Sequence, residues 1–222
     1  MATSDSDIID SWHVNATAWI KAISDEEIES RVLVTNKAIV NRILAHNPQS
    51  MLDIGCGEGW LSRAIAKNNI HVLGIDVVPA FVDYGNQQGN FLFDICSYEN
   101  LPNYKFSQLF DCIVCNFSLL GKESTEIVIA VSKNLLTKNG KLIIQTLHPV
   151  AACGDLPYED GWRPGSWTGF SKEFTKAAPW YFRTIESWFR LFNLKKFKQI
   201  NIYEPFHPIA GKPASIIFEC SV

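Results

Sequence analysis

Met51-Leu52-Asp53-Ile54-Gly55-Cys56-Gly57-Glu58-Gly59-Trp60 decides the fold of this chain: an apolar run ends abruptly in three glycines at alternate positions. The stretch reads as a strand, a tight loop and the start of a helix. Residues without Cβ let the backbone turn sharply and approach a ligand, while the first helical turn offers unpaired N–H groups to something polar or anionic. A nucleotide-type site is therefore expected here. A glycine loop also serves ordinary turns, so the specificity has to come from the rest of the chain.

Outward from this loop, short apolar runs alternate with amphipathic segments, the texture of parallel strands joined by crossover helices. Strands are expected near 51–55, 70–75, 90–94, 110–116 and 140–147, and helices near 59–68, 79–87 and 123–136, the last stopping at Lys138-Asn139-Gly140. Upstream, Ile8, Ile9, Trp12, Ala16, Trp19, Ile20 and Ile23 form one helical stripe. The capping box Ser24-Asp25-Glu26-Glu27 predicts a second helix running to Asn47-Pro48. Downstream, Tyr181 to Phe192 reads as a helix, and Phe197 to Tyr203 and Ser215 to Cys220 as two final strands. The expectation is α/β: a Rossmann-like, seven-stranded, mostly parallel sheet with helices on both faces. It forms one domain over 1–222, with a helical cap over 1–48.

Residues 149–180 break this rhythm. Pro149, Gly154, Pro157, Gly161, Pro164, Gly165, Gly169 and Pro179 are interleaved with Tyr158, Trp162, Trp167, Phe170, Phe174 and Trp180. A long loop carrying so much apolar surface must fold over something, so the segment is expected to be a lid at the mouth of the site.

Composition narrows the partners. With 222 residues, 47% of them hydrophobic, and a net charge of −3, the chain can bury a good core and lacks the basic footprint of a nucleic-acid binder. No apolar run reaches the length of about 18 residues that a membrane span needs, and the start from Met1 to Ser6 is polar, so no signal peptide is expected and the cytoplasm is the default location. A small-molecule substrate and a monomer or homodimer fit best. The six cysteines lie mostly in apolar runs, as reduced core residues do. Cys112-x-x-Cys115 falls within an expected strand, where odd spacing sends the side chains to opposite faces and argues against redox or metal duty.

Two cofactors compete for the loop. The dinucleotide pattern G-x-G-x-x-G has its last glycine where this chain has Trp60, which weakens that reading. The segment instead resembles the first motif of the class I S-adenosylmethionine-dependent methyltransferases, in which an acid precedes G-x-G-x-G; here Asp53 stands ahead of Gly55. Further matches follow in order. Asp76 ends the run His71-Val72-Leu73-Gly74-Ile75, 21 positions after Gly55, the spacing of an acid that binds ribose hydroxyls. Phe93-Asp94-Ile95, Cys112 to Ser118 and Asn139 to Ile144 resemble the family's third-, fourth- and fifth-strand segments. The flanks, among them Trp12-His13-Val14-Asn15-Ala16, Gln145-Thr146-Leu147-His148-Pro149 and Pro179-Trp180-Tyr181-Phe182-Arg183-Thr184, resemble a small-molecule subgroup related to the ubiquinone-biosynthesis type.

The resemblance implies S-adenosyl-L-methionine as cofactor and S-adenosyl-L-homocysteine as product, with methyl transfer to an O or N atom. It implies that Asp53, Gly55, Cys56, Gly57, Gly59 and Trp60 form the loop, that Asp76 and Val77 meet the ribose, and that Asp94 and Ile95 meet the adenine. Asn116, Phe117 and Ser118 would lie beneath the methionine portion. The N-terminal helices would close over the cofactor with Trp19 and Arg31, and the Arg31 guanidinium could fork onto the methionine carboxylate, although an arginine on a helix is also commonly a surface ion pair.

His148, just after the fifth strand, could take a proton from the acceptor, or could simply cap a strand and bond to backbone. Trp12, Tyr158, Trp162, Arg163, Tyr181 and Arg183 are substrate-pocket candidates, with packing inside the lid as the alternative. The fourth-strand end Asn116-Phe117-Ser118-Leu119 lacks the Asn/Asp-Pro-Pro-aromatic motif of base and glutamine methylation. No carboxylate cluster suggests a metal. An NAD-dependent oxidoreductase and a non-catalytic scaffold of the same fold are the rivals.

Overall fold

The computed structural model describes residues 3–222; of the polar start Met1 to Ser6, Met1 and Ala2 lie outside the described residues. The apolar run before the glycine loop forms β1 (Ser50–Ile54), buried along its whole length as a central strand must be. It is followed by α3 (Trp60–Ala66), β2 (His71–Asp76), α4 (Pro79–Gln87), β3 (Leu92–Ile95), β4 (Phe110–Asn116), α5 (Glu123–Leu135) and β5 (Leu136–Thr146). Upstream lie α1 (Asp5–Ser24) and α2 (Asn36–Leu44). Downstream come α6 (Pro149–Ala152), β6 (Gly161–Arg163), β7 (Trp180–Phe182), α7 (Ile185–Leu194), β8 (Gln199–Tyr203), β9 (Phe206–His207), β10 (Lys212–Pro213) and β11 (Ile216–Ser221).

The main sheet has seven strands in the order β3-β2-β1-β4-β5-β11-β8. The pairings from β3 to β5 are parallel, and β11 runs antiparallel to both its neighbours. This is the expected Rossmann-like α/β architecture. Alternation along the strands supplies both faces. Leu52, Ile54, Ile113, Cys115, Leu142 and Ile144 pack with Val128 and Ile129 of α5 and with Trp188 and Phe192 of α7. Met51, Cys112, Val114 and Ile143 pack on the other side with Ile39 and Ile43 of α2 and Leu61 and Ile65 of α3. Cys112 and Cys115 are thus on opposite faces, and all six cysteines are free thiols. α2 is further fixed to the sheet by Glu219 of β11, which lies 3.3 Å from Arg42 Nε and 2.8 Å from His46 Nε2.

Three boundaries differ from the sequence expectation. Ser24 ends α1 instead of capping a second helix: Asp25 pairs with Lys21 one turn back at 2.7 Å, and Glu26 takes a left-handed φ of 55°, which breaks the helix. The chain re-enters helix through a widened π-type turn at Arg31–Thr35, which leads directly into α2. The Lys138-Asn139-Gly140 stop falls inside β5, which starts directly after α5 and shifts its register against β4 between Phe110 and Cys112. Trp180 to Phe182 is a strand because it pairs with β6 and the Tyr181 N–H bonds to Leu120 O at 2.7 Å; α7 begins only at Ile185, capped by Thr184.

The segment between β5 and α7 folds back over the carboxyl ends of the strands and is bolted to α1. Asn15, fully buried, donates from Nδ2 to Thr175 O at 2.9 Å and accepts from Thr175 N–H at 2.8 Å. Ser11 Oγ donates to Lys176 O, and Trp167 Nε1 to Thr175 O at 2.7 Å. Phe174 packs on Ala18 and Ala22, and Trp12 contacts Trp167 edge-on with centroids 5.8 Å apart. No helix among the described residues is long and apolar enough to cross a membrane.

Candidate functional site

A cavity of about 420 Å³ opens at the carboxyl ends of β1, β2 and β4, the place where open α/β sheets receive ligands. The glycine loop forms its floor, α1 and the π-type turn one side, and the lid its roof. Gly55 and Gly57 sit at φ of 71° and 56°, in the left-handed region that favours glycine. A Cβ on Gly55 would run into the Tyr98 hydroxyl and Ser118 side chain, whereas one on Gly57 would meet nothing nearer than Trp19 Nε1 at 3.9 Å. Gly57 therefore leaves a gap on the cavity side. A Cβ on Gly59, the cap of α3, would strike the Phe93 ring, which explains why a third glycine is needed although it faces away from the cavity.

Asp76 locks the loop. Its Oδ2 accepts from Gly57 N–H and its Oδ1 from Val78 N–H, both at 2.9 Å. Burial nevertheless pushes its carboxyl up, against those backbone hydrogen bonds. Asp53 is fully buried beneath the loop, with Ser62 Oγ donating to its Oδ2 at 2.7 Å, and burial pushes it up to about 7. Glu58 is also raised by burial, opposed by Arg63, which pairs with it at 3.1 Å, and by Arg31.

Among the described residues, Arg31 is the one cation in the cavity wall. Its guanidinium lies 5.7 Å from the Trp19 ring and 5.0 Å from the Trp60 ring, and Nε donates to Asn36 Oδ1 at 3.4 Å. Nη2 is buried without a hydrogen-bond partner, and burial lowers the group to about 10. Burial also pushes the Cys56 thiol and the Tyr98 phenol well up, so both stay protonated at neutral pH.

The structure gathers Trp12, Trp19, Arg31, Gly55, Cys56, Gly57, Trp60, Asp76, Val77, Asn116, Phe117 and Ser118 around this cavity. It places other candidates elsewhere. Asp53 and Gly59 lie behind the loop. Asp94 and Ile95, at the end of the edge strand β3, are exposed outside the cavity wall, and Tyr104 donates to Asp94.

His148 caps α6 and turns away, its Nε2 2.6 Å from Glu204 Oε1 and its Nδ1 buried without a partner. Arg183 is buried and donates to the carbonyls of Gly121 and Lys122 at 3.0 and 2.8 Å. Arg163 stacks 5.1 Å from Phe182 and donates to Pro157 O and Glu159 O. Tyr158 accepts from Ile185 N–H, and Trp162 packs on Tyr181, 5.5 Å between centroids. These residues tie the lid to its base; Trp167, Phe170 and Trp180 are the lid aromatics that reach the cavity. From α1, Asp5, Ile8 and Ile9 also line it. The helical stripe placed Ile8 and Ile9 on a buried face, but nothing local tells which buried face meets a ligand. Among the described residues, no group of three or more His, Cys, Asp or Glu is arranged to hold a metal ion.

The fold and the loop locked by Asp76 define the class. A methyltransferase-domain family model matches residues 45–195, and the chain belongs to that family. Its architecture is that of the class I S-adenosylmethionine-dependent methyltransferases. The chain is 32% identical over 103 residues to a ubiquinone biosynthesis O-methyltransferase of Coxiella burnetii, a match covering 44% of this chain and 43% of that protein. The chain thus spans less than half the length of the curated relatives it matches.

Among solved structures it resembles the plantazolicin methyltransferase in complex with a triazolic desmethyl analogue and S-adenosylhomocysteine, at TM-score 0.67 and 16% identity, covering 97% of this chain and 95% of that one. It also resembles the Burkholderia thailandensis 1,6-didemethyltoxoflavin N1-methyltransferase, at TM-score 0.66 and 14% identity, covering 96% and 89%.

Proposed function

We propose that the chain is an S-adenosylmethionine-dependent methyltransferase acting on an O or N atom of a small-molecule acceptor. The observation that carries this reading is the pairing of Asp76 with the Gly57 N–H at the edge of a cavity whose wall also holds the Arg31 guanidinium, its Nη2 buried without a partner. The residues suit the cofactor. Asp76 and Val77 would meet the ribose, Gly57 leaves room for the cofactor's approach, and Asn116, Phe117 and Ser118 would support the methionine portion. Arg31, held against the Trp19 and Trp60 rings, would pair with its carboxylate. Asp53 supports the loop from behind through Ser62.

S-adenosylmethionine, when bound, supplies an activated methyl group for direct displacement. The chain's own contribution is to hold the acceptor in line and to exclude water: α1 and the lid close the cavity with Trp12, Trp19, Trp167, Phe170 and Trp180. Such alignment contributes about 7 to 11 kcal/mol in favourable cases. Protonated Cys56 and Tyr98 are not nucleophiles here. His148 acts by fixing the β5–α6 corner through Glu204 rather than as a base. Incubating the protein with methyl-labelled S-adenosylmethionine and fractionated metabolite extracts tests the activity. Label should enter a small organic product, and no transfer to any fraction would refute the reading.

A further inference from the structure

The loop-facing half of the cavity is accounted for by the cofactor, and the opposite half is not. Its wall includes Asp5, Ile9 and Trp12 of α1, Gly121 before α5 and Ser124 at its start, and Trp167 and Trp180 of the lid. The Asp5 carboxylate is held rigidly, Oδ1 accepting from Lys122 N–H at 2.9 Å and Oδ2 from Ser124 N–H at 2.7 Å. Gly121 provides the space, since a Cβ there would collide with the side chains of Asp5 and Ser124.

Among the described residues, four acidic residues contribute to the cavity lining, Asp5, Glu58, Asp76 and Glu99, against the single cation Arg31 on the loop side. Among the described residues, the nearby cations Arg183 and Lys122 are committed elsewhere. Arg183 donates to Gly121 O and Lys122 O from behind the wall, and Lys122 Nζ lies 3.5 Å from Glu123. A carboxylate or phosphate entering this half would lose its water with no cation among the described residues to replace it. A cation would find Asp5 together with the faces and edges of tryptophans.

We propose, building on the methyltransferase reading above, that this half takes a ring-bearing acceptor with a cationic nitrogen docked on Asp5. That nitrogen anchors the molecule, and the atom that receives the methyl group lies elsewhere on it.

The test measures binding of tryptamine, 3-ethylindole and indole-3-propionate, one ring with three charges, by ligand-observed NMR to protein saturated with S-adenosylhomocysteine. Tryptamine should bind about tenfold or more tighter than indole-3-propionate, and Asp5→Asn should shrink the ratio to about threefold or less. Ile9→Lys, one helical turn along the same face, should shrink it likewise by setting an ammonium beside Asp5. If Asp5→Asn does not fold, the wild-type ratio and Ile9→Lys still decide. Equal or reversed preference in the wild-type protein, a ratio insensitive to the variants that fold, or no binding of any of the three would overturn the assignment. Titration with S-adenosylhomocysteine alone separates the two readings: its failure to bind refutes the cofactor site, whereas binding without charge preference refutes only the acceptor class.

Discussion

Replacing Arg31 with methionine separates the binding role of this residue from a structural one. In the free protein the guanidinium is badly placed: it is buried, its Nη2 has no partner, and burial lowers its pKa to about 10. Methionine keeps the length and apolar bulk between Trp19 and Trp60. Losing the two cation–π contacts costs about 0.5 to 2 kcal/mol, and removing a buried unsatisfied donor returns about 1 to 3 kcal/mol. The two nearly cancel, so the melting temperature should move by no more than about 4 °C. Binding should respond very differently. A charge-assisted hydrogen bond from Arg31 to a ligand carboxylate contributes about 1.5 to 3 kcal/mol, so affinity for S-adenosylhomocysteine should fall by about 10- to 150-fold. Isothermal titration alongside thermal unfolding reads both quantities. Affinity within about twofold of wild type, or a large drop in melting temperature, would refute the reasoning.

Gly57→Ala should fold at a cost of about 1 to 2 kcal/mol for a non-glycine at φ 56°, yet lose most cofactor affinity, because its Cβ enters the gap below Trp19; a titration with undiminished affinity would contradict the cradle. Asn15→Ala leaves the Thr175 N–H without its partner and the Thr175 carbonyl with Trp167 Nε1 alone, and should release the lid, which hydrogen exchange would register as faster exchange confined to 165–178 and α1. Asp53 has its pKa raised from 3.8 to about 7 in the folded chain, so its contribution to stability is most favourable below pH 4 and is lost as pH rises towards 7. Asp53→Asn should accordingly gain on wild type by on the order of 1 to 4 kcal/mol across that window in denaturant titrations, and a gap that is flat with pH would count against it. His148→Ala should retain turnover with an unshifted pH profile, because the imidazole faces Glu204 rather than the cavity.

The sheet is legible because its central strands carry short apolar runs, and β1 and β2 lead into Gly55 and Asp76 at the right spacing. Gly55 to Gly59 and Asp76 could be read for the same reason: backbone geometry limits what can occupy those positions. The substrate side was not. Tyr158 and Trp162 are aromatics in the same segment as Trp167, Phe170 and Trp180, and only tertiary pairing, the β6–β7 hairpin and the contacts to α1, decides which of them reach the cavity. Asp94 and His148 follow the order of motifs along the chain, yet partners outside those motifs, Tyr104 and Glu204, decide where their side chains point. The Ser24 capping box misled because an ion pair within one turn, Lys21 to Asp25, serves a helix end as well as the acidic triplet would serve a start.

The central claim is that the cavity above Gly57 and Asp76 holds S-adenosylmethionine. Equilibrium dialysis of the protein against radiolabelled S-adenosylmethionine and, separately, radiolabelled NAD tests it most directly. Saturable retention of the first, displaced by S-adenosylhomocysteine, with no saturable retention of NAD, is the predicted result. Retention of NAD in preference to S-adenosylmethionine would contradict it.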